Sequence, residues 1–273
     1  MNAQIGTFLY HFYTAKRDGE IESIEKAVEE CAIKGLKTVD IPSFLFDETP
    51  MESVTKILSD NKISVSALYD LIDFTNPCQK VLEEKTKEYL TRGAKIGAKY
   101  FMPVLVVKNE ELVHSDYVKY ASEYLYETSQ MSKKYNIQTV IEDFSDRKSP
   151  LTTIEDLSYL LNENKEVGFV LDTGNFWFAN IDVLEAAEKF WDRTVHVHLK
   201  DVITSNKNGV YTDDDTDDCV VIGEGILPIK KIMKGLKNIS YNGALIMEFN
   251  TRIDTIKKVK TSIDTVNAMM NED

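Results

Sequence analysis

Four stretches of the chain run through apolar residues and end on side chains able to do chemistry. "QTVIEDF" ends on Glu142 and Asp143, "VGFVLDTG" on Asp172, "TVHVHLKD" on His196, His198, Lys200 and Asp201, and "ALIMEFN" on Glu248. A carboxylate closing an apolar run can cap the next element, and one such run alone would mean little. If the runs share one mouth, burying three carboxylates together would cost several kcal/mol unless their pKa values rise or a cation neutralises them. Two Glu, one Asp and one His form a mostly hard-oxygen donor set suited to Mn²⁺, Mg²⁺, Co²⁺ or Zn²⁺. The expected ligands of one divalent metal ion are therefore Glu142, Asp172, His198 and Glu248. Strand alternation turns His196, His198 and Lys200 to one face, with the two imidazoles roughly 6.6 Å apart along the strand. His198 is the ligand on this reading, and His196 is either a core histidine or a residue behind the metal.

The elements needed to bring these residues together are visible in the remaining sequence. Strand-like runs also occur at "GTFLYHF", "KTVDIPS", "ISVSALYD" and "YFMPVLVV", making eight, each ending in polar residues. Helical spacing separates them: Ile21, Ile24, Val28 and Cys31 share a face, as do Ile253, Ile256, Ile263, Val266 and Met270. Eight βα alternations without a linker predict an α/β fold, a single (β/α)8 TIM barrel forming one domain over residues 1–273. All eight strand ends would then meet at one carboxyl-end face, where such barrels carry their chemistry.

Composition narrows the function. The chain of 273 residues is 43% hydrophobic and 28% charged, with a net charge of −13. That charge repels phosphate backbones and anionic lipid, so neither nucleic acid nor membrane is an expected partner. Three well-separated cysteines give no disulfide framework, and no long apolar span or leader pattern is seen, which predicts a cytoplasmic protein. After "HLKD" a long polar connection carries the acidic run 213–218, whose spacing does not match an EF-hand and which reads as a solvated loop.

The ordered set "IEDF", "VLDTGN", "VHVHLKD", "IGEG", "IMEF" resembles the xylose isomerase-like TIM barrel superfamily, which includes sugar isomerases and epimerases, inosose dehydratase and endonuclease IV. The resemblance spans almost the whole chain and implies the same four ligands, Glu142, Asp172, His198 and Glu248. It further implies a divalent-metal-dependent sugar isomerase or epimerase acting on a small keto-sugar or polyol. Glu142 and Glu248 would be the catalytic carboxylates that move a proton through a metal-bound enediolate, with no organic cofactor. Lys200 would polarise or protonate a substrate oxygen, or else form a structural ion pair. Substrate-binding positions are Asn175, which could bond a sugar hydroxyl, His196, the aromatic residues Trp177 and His11, and Glu224 of "GEG", where backbone N–H groups precede a helix expected near Ile226.

The chain departs from ketose 3-epimerases in having Asn175 where they have His and Lys200 without a nearby Arg. "HLKD" looks more like inosose dehydratase, so a sugar or inosose dehydratase, a lyase, is the alternative, followed by a non-catalytic sugar-binding barrel. An endonuclease is disfavoured because the chain holds four His in all. Some superfamily members assemble as dimers or tetramers, so a homo-oligomer stays open.

Overall fold

Strands covered on both faces read as continuous apolar runs, and that is how these runs fold. The computed structural model describes residues 1–75, 79–109, 111–146, 148–203, 219–249 and 253–272. The strands are β1 (Gln4–Phe8), β2 (Thr38–Pro42), β3 (Ser64–Asp73), β4 (Tyr100–Val106), β5 (Gln138–Glu142), β6 (Gly168–Asp172), β7 (Thr194–Leu199) and β8 (Ala244–Met247). Every residue of β2, β6 and β8 is buried. The strands pair in parallel in chain order, and β1 meets β8 from Gln4↔Ala244 to Thr7↔Met247, so the sheet closes. Helices connect the strands throughout, which makes the fold the expected (β/α)8 TIM barrel.

Local chemistry sets the helix boundaries. Ser23, Thr153 and Asp182 accept backbone N–H groups at the starts of helices Ile24–Lys34, Ile154–Glu163 and Val183–Phe190. Helix Ile24–Lys34 buries Ala27, Val28 and Cys31, and helix Thr255–Asn271 buries Ile256, Val259, Ile263, Val266 and Met269. Ile253 is a correction to the predicted face, because it precedes the last helix and is exposed. The run "GTFLYHF" is also shorter as a strand than expected. It stops at Phe8, and Tyr10–Arg17 is a helix that buries His11, Phe12 and Ala15, so His11 opens a helix and does not end a strand. The acidic run 213–218 lies outside the described residues. Among the described residues, no helix is long and apolar enough to cross a membrane.

Asp201, just past β7, organises the return of the chain toward β8. Its carboxylate accepts the N–H groups of Val202 at 3.0 Å, Gly223 at 2.8 Å, Gly225 at 3.0 Å and Leu227 at 3.2 Å. A Cβ on Gly225 would lie 2.1 Å from Asp201 Oδ1, so only glycine lets the backbone come this close. The helix follows at Ile229–Asn238, three residues later than predicted. Asp201→Ala leaves these buried amides without their acceptor and is expected to lower unfolding stability by about 2–3 kcal/mol. Urea denaturation would measure this, and an unchanged midpoint would mean that the carboxylate contributes nothing to the loop.

Candidate metal centre

The ends of β5 to β8 deliver one ligand-capable side chain each. Glu142 and Asp172 are the last residues of β5 and β6, His198 sits one residue before the end of β7, and Glu248 follows β8 directly. Asp172 and His198 are register partners, and Glu248 N donates to Leu199 O at 3.0 Å, so hydrogen bonding of adjacent strands sets their relative heights. One ligand atom from each of Glu142, Asp172, His198 and Glu248 lies within 4.8 Å of every other. Atoms held about 2.0–2.3 Å from a common ion span that distance. His198 Nδ1 faces Glu142 Oε1 in a very short contact and lies 3.4 Å from Glu248 Oε2. Asp172 Oδ1 accepts the N–H groups of Gly174 at 2.7 Å and Asn175 at 2.6 Å, which cap the short helix Asn175–Phe178, while its buried Oδ2 has no hydrogen-bond partner. The donor set and this oxygen, without a hydrogen bond and 3.5 Å from the Lys200 ammonium, fit a divalent cation.

Lys200 is the counter-charge within the cluster. Its buried ammonium lies 2.8 Å from Glu248 Oε1, 3.1 Å from Asn175 Oδ1 and 3.5 Å from Asp172 Oδ2. The lysine stem runs over Gly174, where a Cβ would sit 2.6 Å from Lys200 Cδ. Thr173 fixes the lysine backbone: its hydroxyl donates to Lys200 O at 2.6 Å and accepts Lys200 N–H at 2.8 Å. Asp143 lies behind the cluster, with Oδ1 accepting Asp172 N–H at 2.9 Å and its backbone oxygen accepting from Asn175 Nδ2 at 2.8 Å.

Protons share the burden of so many buried acids. Burial drives the Asp172 carboxyl up to about 7 despite Lys200, with the charges of Glu248 and Glu142 adding to the rise. Burial also pushes Asp143 well above the usual carboxylate range, reinforced by Asp172 and Glu142. Glu248 goes the other way: Lys200 and His198 more than offset its burial and hold it well below that range. Burial disfavours a charged His198, yet the charge of Glu142 and the hydrogen bonds that the ring donates to Asp40, Glu142 and Glu248 raise it well above an ordinary imidazole. The cluster thus attracts positive charge strongly, whether as protons or as a cation.

The predicted substrate-binding residues separate into two groups. Asn175 lies beside Lys200, and Trp177 is partly buried on the same short helix. His11 is tied down at both ring nitrogens, with Nδ1 2.9 Å from Thr7 Oγ1 and Nε2 accepting the Phe249 N–H at 3.3 Å. Thr7 also donates to Met247 O at 2.8 Å, so this pair grips the chain on both sides of Glu248. Burial lowers His11 to about 4 against the pull of Glu248, so it is a neutral clamp and not a free substrate donor. His196 requires a correction: it is fully buried below His198, with Nε2 2.7 Å from Asp40 Oδ2 and Nδ1 3.3 Å from Ser66 Oγ, leaving neither nitrogen for substrate. Glu224 is corrected as well, since it is exposed and the flanking Gly223 and Gly225 amides are used by Asp201.

The sequence reading missed Asp40, whose Oδ2 is shared by His196 and His198, the latter at 3.0 Å. Its signal was a lone carboxylate inside the apolar run "KTVDIPS". It missed Phe8 too, whose ring meets that of His198 edge-on at 5.0 Å and that of Tyr69 at 5.2 Å, forming an apolar wall at the cluster.

A family model described as xylose isomerase-like TIM barrel matches residues 26–269, and the chain belongs to that family. An inosose isomerase of Bacillus velezensis is 22% identical over 270 residues, covering 93% of this chain and 94% of that protein. An inosose dehydratase of Geobacillus thermodenitrificans is 29% identical over 115 residues, 36% of each chain. The IOLI protein, solved at 1.8 Å with a bound zinc atom, superposes with a TM-score of 0.77 at 18% identity, covering 98% of both chains.

Purified protein is expected to carry about one equivalent of divalent metal, lost in His198→Ala, by elemental analysis and by a metal-dependent rise in Tm. Wild-type protein that neither carries nor takes up Mn²⁺, Co²⁺ or Zn²⁺ would contradict this assignment.

Proposed function

We propose that the protein is a divalent-metal-dependent isomerase or epimerase of a small, uncharged carbohydrate, a keto-sugar or an inosose, working in the cytoplasm as one barrel domain over residues 1–273. The observation that carries this reading is the pair Glu142 and Glu248, two carboxylates that meet at the same His198 nitrogen from different strands. Glu142, Asp172, His198 and Glu248 would hold the cation. When bound, the cation supplies Lewis-acid polarisation of a carbonyl and hydroxyl, which acidifies the neighbouring C–H.

The protein's own residues would then handle the proton. Glu142 ends β5 and Glu248 follows β8, so one would remove the proton from the carbon beside the carbonyl and the other would return it to a second position or face through an enediolate. The Lys200 ion pair keeps Glu248 ionised and fixed in direction. Asn175, held between Asp143 O and Lys200 Nζ, has the means to orient a sugar hydroxyl. Phe8 and Tyr69 offer apolar faces to the C–H side of a ring. Because the Lys200 ammonium is already directed to Glu248, Asn175 and Asp172, the site suits hydroxyls and carbonyls better than a phosphate. The net charge of −13 likewise argues against nucleic acid as a partner.

A second reading is a dehydratase. It is favoured by Lys200, whose ammonium beside Glu248 could protonate a departing β-hydroxyl, and by relatives named inosose dehydratase. Incubation of keto-sugars and inososes in D2O separates the two. Isomerisation or epimerisation retains the substrate atoms and exchanges carbon-bound hydrogen for deuterium, whereas dehydration shortens the product by one water. Glu142→Gln and Glu248→Gln should each reduce turnover about 10²–10⁴-fold with the folded circular-dichroism spectrum retained. A fully active variant would remove that glutamate from the mechanism.

A further inference from the structure

Asp40 is a fully buried carboxylate in the middle of β2, an expensive position that the proton transfer proposed above does not use. The pairing of β2 with β3 slips between Val39 and Ile41, at Asp40 itself. A strand irregularity of this kind re-aims a side chain and leaves an amide of the partner strand to be satisfied otherwise. Here the Ala67 N–H donates to Asp40 Oδ1 at 3.0 Å. The other oxygen crosses the barrel to β7, where it lies 2.7 Å from His196 Nε2 and 3.0 Å from His198 Nε2. These are hydrogen-bond distances.

We propose that Asp40 is a positioning residue for metal binding: by accepting Nε2–H of His198 it leaves Nδ1 to ligate the cation between Glu142 and Glu248, and His196 with the Ala67 amide keeps it there. The proposal rests on the metal reading of the cluster. A ligating imidazole whose other N–H is held by a carboxylate is oriented and made more basic, and loss of such a partner commonly weakens metal binding 10–100-fold. His196 thereby acquires a role that its burial denies it as a substrate contact. Its Nε2–H occupies the same oxygen, and Ser66 Oγ at 3.3 Å from Nδ1 completes its surroundings.

The test is Zn²⁺ titration of wild type, Asp40→Asn and His196→Gln against a chromophoric chelator, with ¹⁵N-histidine NMR of the zinc-loaded wild type. The expected result is a dissociation constant raised about 10–100-fold in Asp40→Asn and much less in His196→Gln, which keeps the Asp40–His198 bond. The NMR spectrum should show His198 protonated at Nε2 and not at Nδ1. This second measurement holds even if Asp40→Asn fails to fold. Zinc affinity unchanged in a folded Asp40→Asn, or His198 protonated at Nδ1, would overturn the proposal while leaving the metal reading intact. A wild type that binds no zinc would overturn the metal reading and this proposal with it.

Discussion

Negative charge buried at one end of the barrel is the constraint on which the rest of the structure depends. Glu142, Asp143, Asp172 and Glu248 converge where water is largely excluded, and an uncompensated carboxylate there would cost several kcal/mol. The surroundings are arranged to offset that cost. Lys200 is drawn in beside Glu248, Gly174 gives up a side chain so that the lysine stem can pass, and Thr173 clasps the lysine backbone. The remaining imbalance shows in Asp172, Asp143 and His198, all displaced toward their protonated forms.

Asp172 shows how scaffold and site are made of the same atoms. One oxygen accepts the Gly174 and Asn175 N–H groups at the start of helix Asn175–Phe178, and the other faces the cluster. The two interpretations of a carboxylate closing an apolar strand, cap or ligand, are thus compatible in a single side chain. Thr7 and His11 similarly combine structure with placement, since their bonds to Met247 and Phe249 fix the backbone on either side of Glu248.

The eight strands and the convergence of four strand-end residues were legible because a closed parallel barrel needs apolar runs in strict alternation with helices, and polar residues must follow where each strand meets its mouth. Side-chain identity alone was less informative for His196 and Glu224. The strand repeat already sets His196 a layer deeper than His198, but its partner, Asp40, lies 156 residues away. The amides of "GEG" looked available for a ligand because nothing local reveals that Asp201 folds back onto them. Asp40 escaped for the same reason: its partners lie on β3 and β7, across the barrel interior.

Anomalous diffraction from crystals grown with Zn²⁺ or Mn²⁺ tests most directly whether this buried charge exists to hold a cation. The account predicts one strong peak with Glu142, Asp172, His198 Nδ1 and Glu248 at about 2.0–2.3 Å. A mouth without a peak at saturating metal, or an ion bound elsewhere while Lys200 and the carboxylates keep their present pairing, would contradict it.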